Sequence, residues 1–189
     1  MALISLIEIW RLIIVSLVLG YIFSGLFTTR VKTVYDYLNP RKFRLNDILL
    51  SIGIAAPAVI LHELAHKFVA LAFGLNAEFF LSYFGLALGV ILKLVGSPLI
   101  IFAPGYVGIS GNVTPTISAV TAFAGPALNL ILWLGSDYLI KNKHNLKRKQ
   151  TNILGLTSMI NKWLFIFNMI PIPPLDGSKV FYGLFQAIF

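Results

Sequence analysis

No cysteine occurs anywhere in the 189 residues. That absence excludes a disulfide framework and any thiolate metal site, so a bound metal would have to rest on His, Asp or Glu. Charge is scarce as well, at 12% of residues where a soluble domain carries roughly 25%. No glutamate follows Glu78, which leaves Asp137 and Asp176 as the later acids. What fills the chain is apolar: 58% of residues are hydrophobic and the mean hydropathy is +0.86. Few soluble folds can hide that much apolar surface, so the composition sets one domain, residues 1–189, in a lipid bilayer.

The net charge is +8, and its carriers are grouped. Arg30, Lys32, Arg41, Lys42 and Arg44 fall in one connection; Lys141, Lys143, Lys147, Arg148 and Lys149 fall in another. Basic runs can bind nucleic acid, but beside apolar spans they read as topology signals facing anionic headgroups. The bilayer is therefore the expected partner, and nucleic acid is not. Glu8 and Arg11 precede a long uncharged run, Leu12 to Thr29, with no short apolar region and no A-x-A site. The run reads as a retained first helix, not a cleaved signal.

Four strong spans emerge, at about 5–28, 48–74, 117–139 and 152–170, with a weaker amphipathic segment at 178–189. Residues 76–116 are apolar but broken by eight glycines and prolines between Gly85 and Gly111. The pieces 77–83, 99–102 and 106–110 suit short strands, and 86–94 suits a short helix. Irregular backbone at membrane depth survives only when buried in protein or lining a wet cavity. The expectation is an all-α integral membrane protein of about four to six transmembrane or half-membrane helices. A re-entrant β-hairpin or sheet insert follows the second helix. With the insert not crossing, both basic connections lie on one side. The core covers about 48–180, and 1–47 adds a first helix and a basic loop.

Within the second span, LHELAHKFVA at 61–70 places three ionisable groups where each needs a partner. His62 and His66 are four apart, so on a helix they share a face and can hold one zinc at about 2.0–2.1 Å each. Glu63 adjoins them and can act as general base in this H-E-x-x-H pattern. The bland alternative is a polar cluster tolerated at a helix interface. Lys67 is expected to snorkel or to face a cavity. A third protein ligand must come from elsewhere. His144 reads as a surface residue, and Glu78 and Asp137 as solvated groups near span ends. Asp176 is the outstanding candidate, because Pro171, Pro173 and Pro174 before it forbid a regular helix and Gly177 follows. Its bland role is a cap on the final helix, and both roles can hold. Asn129 and Asn168 also stand among apolar residues. They either satisfy backbone freed by nearby proline or bind a substrate carbonyl or oxyanion.

HELAH at 62–66, GPALN at 125–129 and FNMIPIPPLDG at 167–177, in that order, make the chain resemble the site-2 protease family of intramembrane zinc metalloproteases, in its short prokaryotic or archaeal form. H-E-x-x-H alone is common to many zinc peptidases; its combination with N-x-x-P and L-D-G on a later span is specific. The resemblance covers about 48–180. It implies one Zn2+ per chain on His62, His66 and Asp176, Glu63 as general base, and Asn129 and Asn168 as substrate-strand or oxyanion contacts. It implies transmembrane protein substrates and a multi-pass location in the cell membrane. It says nothing of oligomeric state. It also implies a re-entrant hairpin, matched by GYVGISGN at 105–112, although the stretch 84–103 is longer than a minimal hairpin requires. Neither a PDZ nor a CBS module is present in these residues.

Two rivals remain at this stage. A membrane zinc peptidase of the type that uses a downstream glutamate ligand lacks that glutamate here. A non-proteolytic metal-binding scaffold or transporter would use the same ligands without the chemistry.

Overall fold

The computed structural model describes residues 3–24, 26, 45–97 and 103–188. Among the described residues, six helices and one small sheet follow in chain order. They are α1 (Leu6–Phe23), α2 (Leu45–Ala72), β1 (Asn76–Leu81), α3 (Tyr83–Leu94), β2 (Gly105–Ser110), α4 (Pro115–Asn142), α5 (Arg148–Asn168) and α6 (Asp176–Ile188). The expected strand at 99–102 and the first basic connection lie outside the described residues.

Local chemistry sets the helix starts. Ser5 and Glu8 form a capping box at α1: the Glu8 N–H donates to Ser5 Oγ at 3.2 Å, and the Ser5 N–H to Glu8 Oε2 at 2.8 Å. Thr114 caps α4, its Oγ1 accepting the Ile117 N–H, and Pro115 stands at the first helical position, where its missing N–H costs nothing.

Three of these helices, α1, α2 and α4, are long and apolar enough to cross a membrane. α5 covers the expected fourth span but carries Asn152, Asn161 and Lys162 in it. α3, at 12 residues, is too short to cross. Large apolar side chains stand on the outside, among them Leu6, Trp10, Phe84 and Ile131. In water such a surface would be an aggregation liability; against lipid it is the ordinary exterior.

α2 is the centre of the packing. One of its faces meets α1 and the sheet through Val15, Leu19, Ala56, Val59 and Phe79. Another meets α5 through Ile54, Ala55, Ala58 and Ile160. The small residues at 55, 56 and 58 let three elements approach one helix closely.

β1 and β2 pair antiparallel, with Phe79 opposite Val107 and Leu81 opposite Gly105. The Ser82 N–H donates to the Pro104 carbonyl at 3.1 Å, so the ladder continues one pair beyond the strands. Ser82 and Pro104 thus face each other, and α3 follows β1 directly, so the two strands are not joined by a tight hairpin turn. The alternation of the ladder turns even-numbered residues of both strands toward each other. Phe79 therefore points its N–H and C=O away from β2, and Gly105, Val107 and Ile109 form the outer edge of β2. The β1 edge is covered: Phe79 N–H donates to Glu8 Oε1 at 2.8 Å and Arg11 Nη1 donates to the Phe79 carbonyl at 2.6 Å. The β2 edge has no partner among the described residues.

Candidate metal centre

H-E-x-x-H lies on α2, between one and three turns before its end at Ala72. The four-residue spacing stacks the two imidazoles with ring centroids 4.6 Å apart and planes nearly perpendicular. Their Nε2 atoms converge at 3.0 Å. Asp176, the first residue of α6, brings Oδ2 to 3.1 Å from His62 Nε2 and 3.2 Å from His66 Nε2. The proline run between α5 and α6 is what lets a new helix start at this depth. Gly177 completes the placement, since a Cβ there would sit 2.5 Å from the Met169 backbone at the end of α5.

The far nitrogens explain the orientation. His62 Nδ1 is 2.5 Å from Asn129 Oδ1, and His66 Nδ1 is 2.8 Å from the Thr121 carbonyl. Both partners are acceptors, so each Nδ1 carries the proton and each Nε2 presents a lone pair. Two lone pairs and a carboxylate then face one another with no donor among them. A single proton serves one of these contacts at a time, whereas a dication serves all three. The edges of 3.0–3.2 Å also suit zinc, whose tetrahedral bonds of 2.0–2.1 Å set ligand atoms about 3.3–3.4 Å apart. His62, His66 and Asp176 are the group among the described residues able to hold a metal ion. Gly125 of α4 keeps the place open, because a Cβ there would come within 2.7 Å of His62 Nε2 and would also overlap His66 Nε2.

The remaining site residues expected from sequence fall in different places. Glu63 is half-buried, lies within electrostatic reach of His62, His66, Asp176 and Lys179, and makes no hydrogen bond among the described residues. Asn129 is fully buried behind His62. Its two amide protons go to the Ala58 carbonyl at 3.2 Å and to Asn161 Oδ1 at 2.7 Å, which leaves none for a substrate carbonyl or oxyanion. Asn129 instead holds the imidazole. Asn168 donates to the Leu164 carbonyl at 3.0 Å, the backbone-satisfying role, with the second proton of its Nδ2 uncommitted among the described residues.

Two expectations are corrected. Lys67 neither snorkels nor faces the centre; it is buried and ion-paired with Glu8. Asp137 is not simply solvated, since it accepts from Trp133 Nε1 at 3.0 Å and Ser158 Oγ at 2.6 Å and so joins α4 to α5. Asn161 was not singled out from sequence. Its signal is an amide inside the apolar stretch of α5, matched only by the register of the facing helix.

Comparison with known proteins agrees with this chemistry. The family model for Peptidase family M50 matches residues 134–189. Three relatives carry the name "Putative zinc metalloprotease". The one from Methanocaldococcus jannaschii is 36% identical over 79% of this chain and 76% of its own length. Those from Synechocystis and Bacillus subtilis are 33% and 31% identical, over 74% and 66% of this chain and 32% and 64% of their own lengths. No solved structure matches significantly. On the archaeal relative's identity and coverage, and on the M50 match, the chain belongs to peptidase family M50, the site-2 protease family of zinc metalloproteases.

Proposed function

We propose that the protein is a multi-pass cell-membrane protease that cleaves peptide bonds in or near transmembrane segments of other membrane proteins, with one zinc per chain. The observation that carries this reading is the convergence of His62, His66 and Asp176 within a bundle that contains three helices long and apolar enough to cross a membrane. Zinc held by these three residues would supply Lewis acidity and would make a water acidic enough to be deprotonated near neutral pH.

The chain's own residues do the rest. Asn129 and Thr121 keep both Nε2 lone pairs aimed inward. Glu63, with a free carboxylate, takes the proton of the attacking water and passes it to the leaving amine nitrogen. Asn168 offers its second Nδ2 proton to a substrate carbonyl. A helical substrate hides its carbonyls in its own hydrogen bonds, so it must unwind before attack. The outer edge of β2 supports such a step, because Val107 and Ile109 can hold an extended segment by strand addition.

Glu63→Gln should keep zinc at one per chain and abolish cleavage of a single-span substrate. Products mapped by mass spectrometry, with and without chelator, give the readout. Cleavage that survives in Glu63→Gln, or in chelator, refutes the mechanism. Zinc binding with no cleavage across a substrate panel favours the scaffold or transporter reading.

A further inference from the structure

One buried ion pair takes no part in the metal centre. Lys67 follows His66 directly on α2 and pairs with Glu8 of α1; the two residues are 2% and 3% exposed. Glu8 has a simple explanation as the third residue of a capping box, but the cap uses only Oε2. Its other oxygen, Oε1, accepts from Lys67 Nζ and from the Phe79 N–H at 2.8 Å. One carboxylate thus joins α1, α2 and β1.

Arg11, one turn further along α1, takes the opposite side of the same residue. It donates to the Phe79 carbonyl and to Glu78 Oε1, both at 2.6 Å, and lies 4.7 Å from the centre of the Phe80 ring. Both backbone polar atoms of Phe79 are therefore held by side chains, as a third strand would hold them. Phe79 belongs to the same core cluster as Ala56 and Val59, on the turn of α2 before His62. Buried ion pairs are a poor source of stability, and an apolar pair of similar volume would join α1 to α2 equally well. The arrangement gives something an apolar pair cannot: an acceptor and a donor at fixed heights for one strand residue.

We propose that Glu8 and Arg11, which hold the two backbone polar atoms of Phe79, are positioning residues that fix the register of the sheet against the metal-bearing helix. Through the sheet they set how a peptide on the β2 edge is presented to Glu63. This rests on the protease reading and on strand addition; the clamp on β1 itself does not.

Two double variants test it in the full-length chain. Glu8→Gln/Lys67→Met removes the ion pair but keeps an acceptor for the Phe79 N–H. Glu8→Ala/Lys67→Met removes both. The second should raise hydrogen exchange of amides 76–81 about tenfold, with α4 unchanged. It should also lower kcat/KM on a single-span substrate about tenfold while zinc stays at one per chain. The first should stay within about threefold of wild type in both readouts. Equal behaviour of the two variants overturns the proposal, because a merely structural ion pair is lost in both. If Glu8→Ala/Lys67→Met is not recovered folded, Arg11→Met reads the same strand from its carbonyl side. Unchanged exchange at 76–81 in Arg11→Met then overturns the proposal. A wild-type chain that cleaves nothing overturns the protease reading alone, and the exchange contrast still decides the clamp.

Discussion

Replacing Asn129 by leucine removes a side chain that is 0% exposed and makes three hydrogen bonds. Ala58 keeps its helical partner, so two groups are orphaned: His62 Nδ1–H and Asn161 Oδ1. At about 1–3 kcal/mol for each buried unsatisfied group, the stability cost is about 2–6 kcal/mol. The double variant Asn129→Leu/Asn161→Leu limits the orphan to the imidazole and keeps the measurement on a folded protein. With Nδ1 no longer fixed as the donor, His62 can rotate or exchange tautomer. Loss of such an orienting partner weakens metal binding about 10–100-fold, or about 1.4–2.7 kcal/mol. Competition against a chromophoric chelator in detergent gives the zinc Kd directly. Asn129→Asp keeps the acceptor for His62 Nδ1–H and should hold zinc better than the leucine variants. The reasoning fails if the leucine variants bind zinc within about twofold of wild type. A fall in kcat with unchanged zinc affinity would return Asn129 to an oxyanion role.

Gly125→Ala should cut zinc content sharply while the helices persist, because its Cβ would meet His62 Nε2 at 2.7 Å; elemental analysis beside circular dichroism checks this, and full zinc loading refutes it. Asp137→Ala loses its bonds to Trp133 and Ser158 between α4 and α5. It should lower stability by about 1–3 kcal/mol without touching zinc binding, read as Tm in detergent.

What the sequence made legible depends on range. H-E-x-x-H is visible because four residues on one helix fix the geometry of two ligands. Asp176 is visible because three prolines mark a break that a simple span would not contain. The apolar runs locate α1, α2 and α4 to within a few residues, and the glycine pattern locates the insert. Contacts between helices are not visible. Asn129 facing Asn161, and Glu8 facing Lys67 across 59 residues, depend on which faces meet, and no periodicity in one helix reports that.

Neither orienting partner of the imidazoles belongs to a helix that supplies a ligand. Thr121 and Asn129 both sit on α4, and Gly125 between them leaves the space they enclose. Synthesis runs from α2 through α4 before α6 exists, so the two histidines can be set against their mould while Asp176 is still unmade. Between the end of α4 at Asn142 and Asp176 lie 33 residues of chain. The two histidines of the candidate site are thus set before Asp176, and the group of three is complete only when α6 docks against them.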